Sequence, residues 1–332
     1  MNLNNFLIPT KKIALTILLS LVAFVTFAQE SPLKLSASID TYFRSTPEAP
    51  GSSFANLDGF ALGMANVVLA YEGEKSGFVA DLVFGPRGTD AIFASPMYSA
   101  TGNIVNQLYA YWNVSDKVTL SMGNFNTFLG YEVIAPAANF NYSTSYLFSY
   151  GPFSHTGIKA DFTLADDISL MLGVFNPTDM TEYNPTGSYA FGAQFGIKGQ
   201  YFNFLTDDGA YEIDYTGGFD LSDSFFLGIN AASYKSDEIG FTGVALYPQL
   251  ATSDSFSIGL RGEYFAETGD FGAIGTGVED SSVIALTLTG SATIGNLILK
   301  PELRLDSSSD AAFLDGTSKS LSSFVLAAIV SL

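Results

Sequence analysis

From Thr156 to Leu164 the residues sort by chemistry at every second position. Thr156, Ile158, Ala160, Phe162 and Leu164 lie on one side, Gly157, Lys159, Asp161 and Thr163 on the other. Period-two alternation marks a strand whose side chains point to opposite faces, one oily and one wet. The pattern recurs from Leu33 to Leu332. A soluble sandwich needs only a few such strands. A dozen or more behind an export signal predict a transmembrane antiparallel up-and-down β-barrel with its apolar face to lipid.

The export signal is at the N-terminus, where Lys11 and Lys12 precede a largely apolar run from Ile13 to Ala28. Thr26-Phe27-Ala28 fits a cleavage site before Gln29. Residues 1–28 therefore read as a secretory signal peptide and 29–332 as one outer-membrane barrel domain. Elsewhere the longest purely apolar run, Phe324–Val330, is too short to span a bilayer as a helix. Yet mean hydropathy is positive, +0.26. Apolar residues are spread thinly through the chain, as barrel strands spread them.

Charge and composition exclude several functions. Net charge is −19, and without Lys11 and Lys12 the mature chain carries 12 basic against 33 acidic residues, or −21. Such a chain repels phosphate backbones, so no nucleic-acid partner is expected. The acidity suits outer loops that bind divalent cations, or a lumen that favours cations. Cysteine is absent and His155 is the sole histidine. Thiol nucleophiles, disulfides and histidine-rich zinc sites are thus excluded, and no cofactor or metal is expected.

About sixteen strands can be placed, each near or above the roughly 9–11 residues a tilted strand needs to cross a bilayer. Ser115-Asp116, Ala165–Asp167, Ser222-Asp223, Thr252-Ser253 and Gly295 fall on one parity and read as tight periplasmic turns. Ser45–Leu57, Gly88–Gly102, Leu129–Ser154, Glu267–Asp280 and Ser307–Lys319 fall on the other, as external connections. Both termini are then periplasmic. The parity depends on one short strand, Gly199–Thr206. Two further features carry expectations: Gly77–Arg87 reads as a strand, and Pro301, inside another strand, predicts a bulge or a boundary there.

Facing can be read residue by residue. Leu297, Leu299, Leu303 and Leu305 alternate with Lys300, Glu302, Arg304 and Asp306, so the charged set belongs to the lumen. The same logic turns Asp40, Arg44, Asp81, Arg87, Lys159, Asp161, Glu212, Asp214, Arg261 and Glu263 inward as candidate pore-lining residues. Mixed signs allow a transverse field across a pore. For any one residue, plain pairing with a neighbouring strand is the commoner outcome. Phe and Tyr supply 46 residues, enough for aromatic belts at both interfaces.

Met122-Gly123-Asn124-Phe125-Asn126-Thr127-Phe128-Leu129-Gly130-Tyr131-Glu132, then Gly151-Pro152-Phe153-Ser154-His155-Thr156-Gly157, Gly243–Tyr247 and Leu260–Phe265, occur in that order. In order and spacing they resemble the β-barrel porin-2 (OmpL-like) family of Gram-negative outer-membrane porins, over most of the mature chain. The resemblance implies passive diffusion of small hydrophilic solutes through a water-filled channel in the cell outer membrane, with no enzymatic role. The partners expected are outer-membrane lipid and lipopolysaccharide, the barrel-assembly machinery and two further copies in a homotrimer. One departure is the final residue, Leu332, where such barrels usually finish on an aromatic; it predicts a weaker signal to the assembly machinery.

The longest connection, Leu129–Ser154, is rich in aromatic residues, including Tyr142, Tyr146 and Phe148, and Glu132 is its only charge. Long loops in compact domains are usually functional or disordered, and aromatics argue against disorder. By resemblance to general porins it should fold into the lumen and narrow it; the alternative is a cap on the rim or on a trimer neighbour. Stacking of its rings on sugars would give a substrate-biased channel for sugars or small ions. A barrel lipid hydrolase using His155 with Ser143 or Ser145, and a surface adhesin, are the remaining alternatives. Acidic stretches at Asp306–Asp310 and Glu267–Asp280 fit no calcium-loop spacing. Gly272–Gly277 lacks the Lys-Ser/Thr of a phosphate loop.

Overall fold

The computed structural model describes residues 32–93 and 102–332; the proposed signal peptide, 1–28, lies outside the described residues. Sixteen antiparallel strands run in sequence order around a closed barrel. They are β1 (Leu33–Arg44), β2 (Gly59–Glu72), β3 (Ser76–Phe84), β4 (Val105–Ser115), β5 (Val118–Asn126), β6 (Ser154–Ala165), β7 (Ile168–Phe175) and β8 (Ala190–Ile197). The circuit continues with β9 (Gln200–Asp207), β10 (Ala210–Ser222), β11 (Phe225–Ser236), β12 (Ile239–Ser253), β13 (Phe256–Thr268), β14 (Ser282–Ile294), β15 (Leu297–Ser308) and β16 (Ser320–Ser331). It closes by pairing β1 with β16, from Ser38↔Ser331 to Arg44↔Val325. Closure leaves no sheet edge, and that lets strands cross hydrocarbon without unpaired backbone groups.

The outer face is the oily one. Phe60 and Met122 are 93% and 69% exposed, and Ile158, Leu286, Leu303 and Leu326 are exposed beside them. A continuous belt of that kind is unstable in water and at home in lipid. Exposed aromatics gather at the strand ends. Tyr71, Phe78, Trp112, Phe219 and Phe256 lie toward the end bearing Leu33 and Ser331, the periplasmic one; Phe60, Phe84, Phe191 and Tyr211 lie toward the other. β16 is apolar on both faces, because Val325, Ala327 and Ile329 pack inward with Tyr42 and Tyr142.

The short strand on which the parity depends is present as β9, paired with β8 and β10. Two expectations are corrected. Arg87 is not in a strand: β3 stops at Phe84, and the chain enters helix α1 (Pro86–Phe93), where Pro86 suits a first helical turn. Nor does Pro301 make a bulge. Leu299↔Ala292 and Glu302↔Thr289 keep one register, and Pro301 itself pairs with Leu326. The ring lies against Gly290, whose absent side chain gives it room, so only a few bonds toward β14 are lost.

The external rim is uneven. Long connections follow β1, β3, β5, β7, β13 and β15, but those after β9 and β11 are as tight as periplasmic turns. Asp208 and Gly209 both have positive φ, 47° and 89°, the geometry of a type I′ hairpin turn. Between β9 and β12 the external wall is therefore low.

Candidate pore constriction

The connection after β5, residues 127–153, lies inside the barrel. Tyr142 and Tyr146 are fully buried, and Leu147 and Phe148 nearly so. Its short helix α2 (Tyr146–Tyr150) is capped by Ser145, whose Oγ accepts from the Phe148 N–H at 3.0 Å. The wall strands β13 and β15 supply most of the remaining anchors.

Arg261 on β13 is 0% exposed. It pairs with Glu132 at 2.6 Å and donates to the Ser143 carbonyl at 2.6 Å, the Thr144 carbonyl at 3.2 Å and Thr287 Oγ1 at 3.1 Å. Glu132 also accepts from the Ser145 N–H at 2.8 Å. Two residues along β13, Glu263 accepts from the first N–H groups of α2, Tyr146 at 3.0 Å and Leu147 at 2.8 Å. Donors at a helix start lack partners within the helix, so a carboxylate there is well placed. On β15, Glu302 accepts from the Tyr142 N–H at 2.8 Å and from Thr289 Oγ1 at 2.8 Å. Arg304 grips Asp306 and reaches the Thr144 carbonyl at 2.8 Å and Ser52 Oγ at 2.8 Å. Lys300 donates to the carbonyls of Pro136, at 3.1 Å, and Asn139. Burying these charges is tolerable only because each is paired or hydrogen-bonded.

Further anchors come from around the barrel. A bulge sets Asp40 on β1 opposite Gly63 and Met64. Its carboxylate accepts from the Met64 N–H at 2.9 Å and from the Tyr142 hydroxyl at 2.5 Å. A Cβ on Gly63 would sit 1.6 Å from that carboxylate, so any other residue there would displace Asp40 from these bonds. From α1, Arg87 donates to the Ile134 carbonyl at 3.0 Å and lies over the Phe54 ring at 4.3 Å. Asp214 on β10 accepts from the Gly130 N–H at 3.1 Å. Aromatic contacts fill what remains: Tyr131 on Tyr247 at 4.3 Å, Tyr146 on Phe265 at 5.7 Å, Tyr142 on Tyr42 at 5.5 Å and Phe148 on Phe54 at 5.5 Å. Such pairs add attraction beyond the area they bury.

The inward charges thus divide. Arg87, Asp214, Arg261, Glu263, Lys300, Glu302 and Arg304, with Asp40, hold segment 127–153. Arg44 holds the external connection after β1 through the carbonyls of Thr46, Glu48 and Ala55. Asp81 bonds Asn66, Asn106 and Gln107, two of them presented together by a bulge in β4. Lys159 and Asp161 on β6 pair with each other at 2.9 Å, and their side chains remain 25% and 42% exposed. They are not covered.

Sequence reasoning passed over Thr144, Thr287 and Thr289 and considered Ser143 only as a hydrolase serine; these small polar residues finish the anchor network. Their only signal was inward parity (Thr287, Thr289) and loop position. His155 is buried between Phe128 and Phe175, and its Nε2 is hydrogen-bonded to Thr127 Oγ1 at 2.9 Å. Ser143 and Ser145 are engaged by Arg261 and Glu132 instead, so no Ser–His pair forms. Among the described residues no three His, Cys, Asp or Glu side chains are grouped to hold a metal ion. In the connection after β7, Asp179 accepts from the N–H groups of Phe153 at 2.9 Å and Ser154 at 2.8 Å, pinning the exit of segment 127–153. Burial pushes its carboxyl up to about 6, against the pull of those two donors.

A closed sixteen-strand barrel with an oily outer belt and a chain segment across its lumen defines an outer-membrane porin. The chain belongs to the family described as "Putative beta-barrel porin-2, OmpL-like", whose profile matches residues 32–332. It resides in the outer membrane and forms a passive diffusion channel, and family and fold point to a channel rather than an enzyme. Among solved structures it is similar to the outer membrane channel DcaP of Acinetobacter baumannii, with 12% identity, 90% of this chain and 97% of that one covered, and a TM-score of 0.62. It is also similar to an anion-selective porin from Comamonas acidovorans (12%, 90% and 99%, 0.57). A third is the trimer form of in-vitro folded OmpT of Vibrio cholerae (11%, 90% and 99%, 0.54). At these identities the likeness concerns the fold. No curated protein matches the chain.

Proposed function

We propose that segment 127–153 sets the narrowest part of the channel, and that small hydrophilic solutes pass between it and the wall carrying Lys159 and Asp161. The supporting observation is the division of inward charges. Those on β13 and β15 are bonded beneath the segment, whereas Lys159 and Asp161 keep contact with water. Glu132, Tyr142, Tyr146 and Phe148 are the constriction residues on this reading. They act as packed bulk and not as freely solvated charge. Cation preference fits the mature charge of −21. A homotrimer fits the trimer form of the similar OmpT barrel.

The absence of cysteine makes a direct test available. In Asp161→Cys or Lys159→Cys, a charged, membrane-impermeant thiosulfonate should react within seconds and reduce single-channel current. In Thr289→Cys, beneath the segment, it should react at least a hundredfold more slowly. Equal reactivity at both positions would place the water path elsewhere.

A further inference from the structure

Beside the low stretch of external wall is a cavity of about 510 Å³, bounded by Gly151, the connection after β7 and the tips of β9 to β11. Its size is ordinary for a small-molecule site. No Lys, Arg or His lines it, whereas Asp179, Asp207, Asp208 and Glu212 do. Tyr150, Tyr234 and Phe271 form an aromatic wall, with ring centroids 5.9 Å apart for Tyr150–Phe271 and 6.0 Å for Tyr234–Phe271.

Acidity alone makes no site, but here one carboxylate, Glu212, lacks a partner and a second, Asp207, has one oxygen unmet. Glu212 is only 5% exposed, and among the described residues its carboxylate meets no donor and no cation. It lies in a cross-strand row with Leu205 and Tyr234, against the backbone of Gly151, and lines the cavity. Asp207 accepts from the Thr178 N–H at 2.6 Å through Oδ2, while its buried Oδ1 is unpaired. Elsewhere in the lumen a buried carboxylate is met by an arginine, a hydroxyl or several N–H groups, as at Glu132, Glu263, Glu302 and Asp214. An unmet buried carboxylate costs free energy unless it takes up a proton or something positive arrives, and a protonated donor such as an ammonium brings both a charge and a hydrogen bond. The described residues show no metal-like grouping here, and the walls are aromatic, which suits a larger, softer cation.

We propose that this cavity binds organic cations carrying a primary ammonium group. The ammonium takes Glu212 and the free oxygen of Asp207, and the carbon body lies against Tyr150, Tyr234 and Phe271. The site faces the external mouth, so it concentrates such solutes at the entrance. The proposal stands apart from the position of the constriction, because binding can be read without current.

The test uses the full mature barrel in detergent micelles, with phenethylammonium as probe and 2-phenylethanol as its uncharged counterpart, by titration calorimetry. Phenethylammonium should bind at one site, and 2-phenylethanol at least tenfold more weakly. Glu212→Gln, which keeps the shape and removes the charge, should weaken the ammonium at least tenfold. Asp207→Asn should weaken it less, and it supplies the reading if the first variant does not fold. The proposal is overturned if the wild-type barrel does not bind the probe, if the alcohol binds as tightly, if both substitutions leave affinity unchanged, or if calcium binds the same site more tightly.

Discussion

The wall formed by β13 to β15 and the wall formed by β5 to β7 follow the same rule in sequence. On both, apolar residues face lipid and charges face inward. On the first, Arg261, Glu263, Lys300, Glu302 and Arg304 are buried and hold backbone atoms of segment 127–153. On the second, Lys159 and Asp161 pair with each other and stay wet. Alternation therefore says which side of the sheet a charge occupies. What the charge does there depends on a chain segment more than a hundred residues away, between Glu132 and Arg261. One wall is a scaffold and the other is a surface.

The largest effect should come from breaking the scaffold. Arg261→Ala removes the partner of Glu132 and strips the donor from the carbonyls of Ser143 and Thr144. Losing one member of a buried pair costs roughly 3–5 kcal/mol. The barrel ladder is untouched, so the loss should show as release of segment 127–153, read as protease cleavage within it and a larger, noisier current. Lys159→Ala, on the other wall, should leave the segment resistant. Equal sensitivity would erase the difference between the walls.

The outer faces should behave alike. Ile158→Arg on one wall and Leu299→Arg on the other each place a cation against lipid, at about 2–4 kcal/mol near mid-membrane. Thr163→Arg and Ser257→Arg, with inward parity, should be tolerated. Refolding yield into vesicles separates the two sets, and no difference between them would reject the facing.

A smaller and more local effect involves Asp179. Its folded carboxyl titrates near 6, above the usual carboxylate range, so ionisation works against the folded arrangement. Local stability should be fullest below about pH 4 and decline as pH rises through about 6, with little change above. Hydrogen exchange at the amides of Phe153 and Ser154 reads this directly. Asp179→Asn keeps an acceptor oxygen and should abolish the pH dependence. The smallest effect is on selectivity: the reversal potential across a KCl gradient should have the sign of a weak cation preference, because most lumen charges neutralise one another. A clear anion preference would show that the exposed wall opposes the net charge.

The barrel was legible because its rule is local. Period-two patterning and turn parity identified sixteen strands, including the short β9. Arg87 was misplaced because Gly85-Pro86 breaks the strand, and the alternation before it gives no warning. At Pro301 the local rule predicted a bulge, but Gly290 across the ladder gives the ring room, and that partnership is invisible along the chain. The division between scaffold and surface was not legible at all. It arises from hydrogen bonds to backbone carbonyls and N–H groups of a distant segment, and those carry no side-chain signature. The unpaired Glu212 was likewise indistinguishable from the other inward acids until its neighbours were known.

Single-channel conductance of a chain shortened between Ala135 and Tyr150 tests the central claim most directly. Removing that stretch opens the lumen, and water then solvates Arg261, Glu263, Lys300 and Glu302, so the closed sixteen-strand ladder should still fold and insert. The account predicts a conductance several-fold above that of the full chain, with unchanged heat-resistant migration. Normal insertion with the same conductance would contradict it and place the narrowest point in the barrel wall.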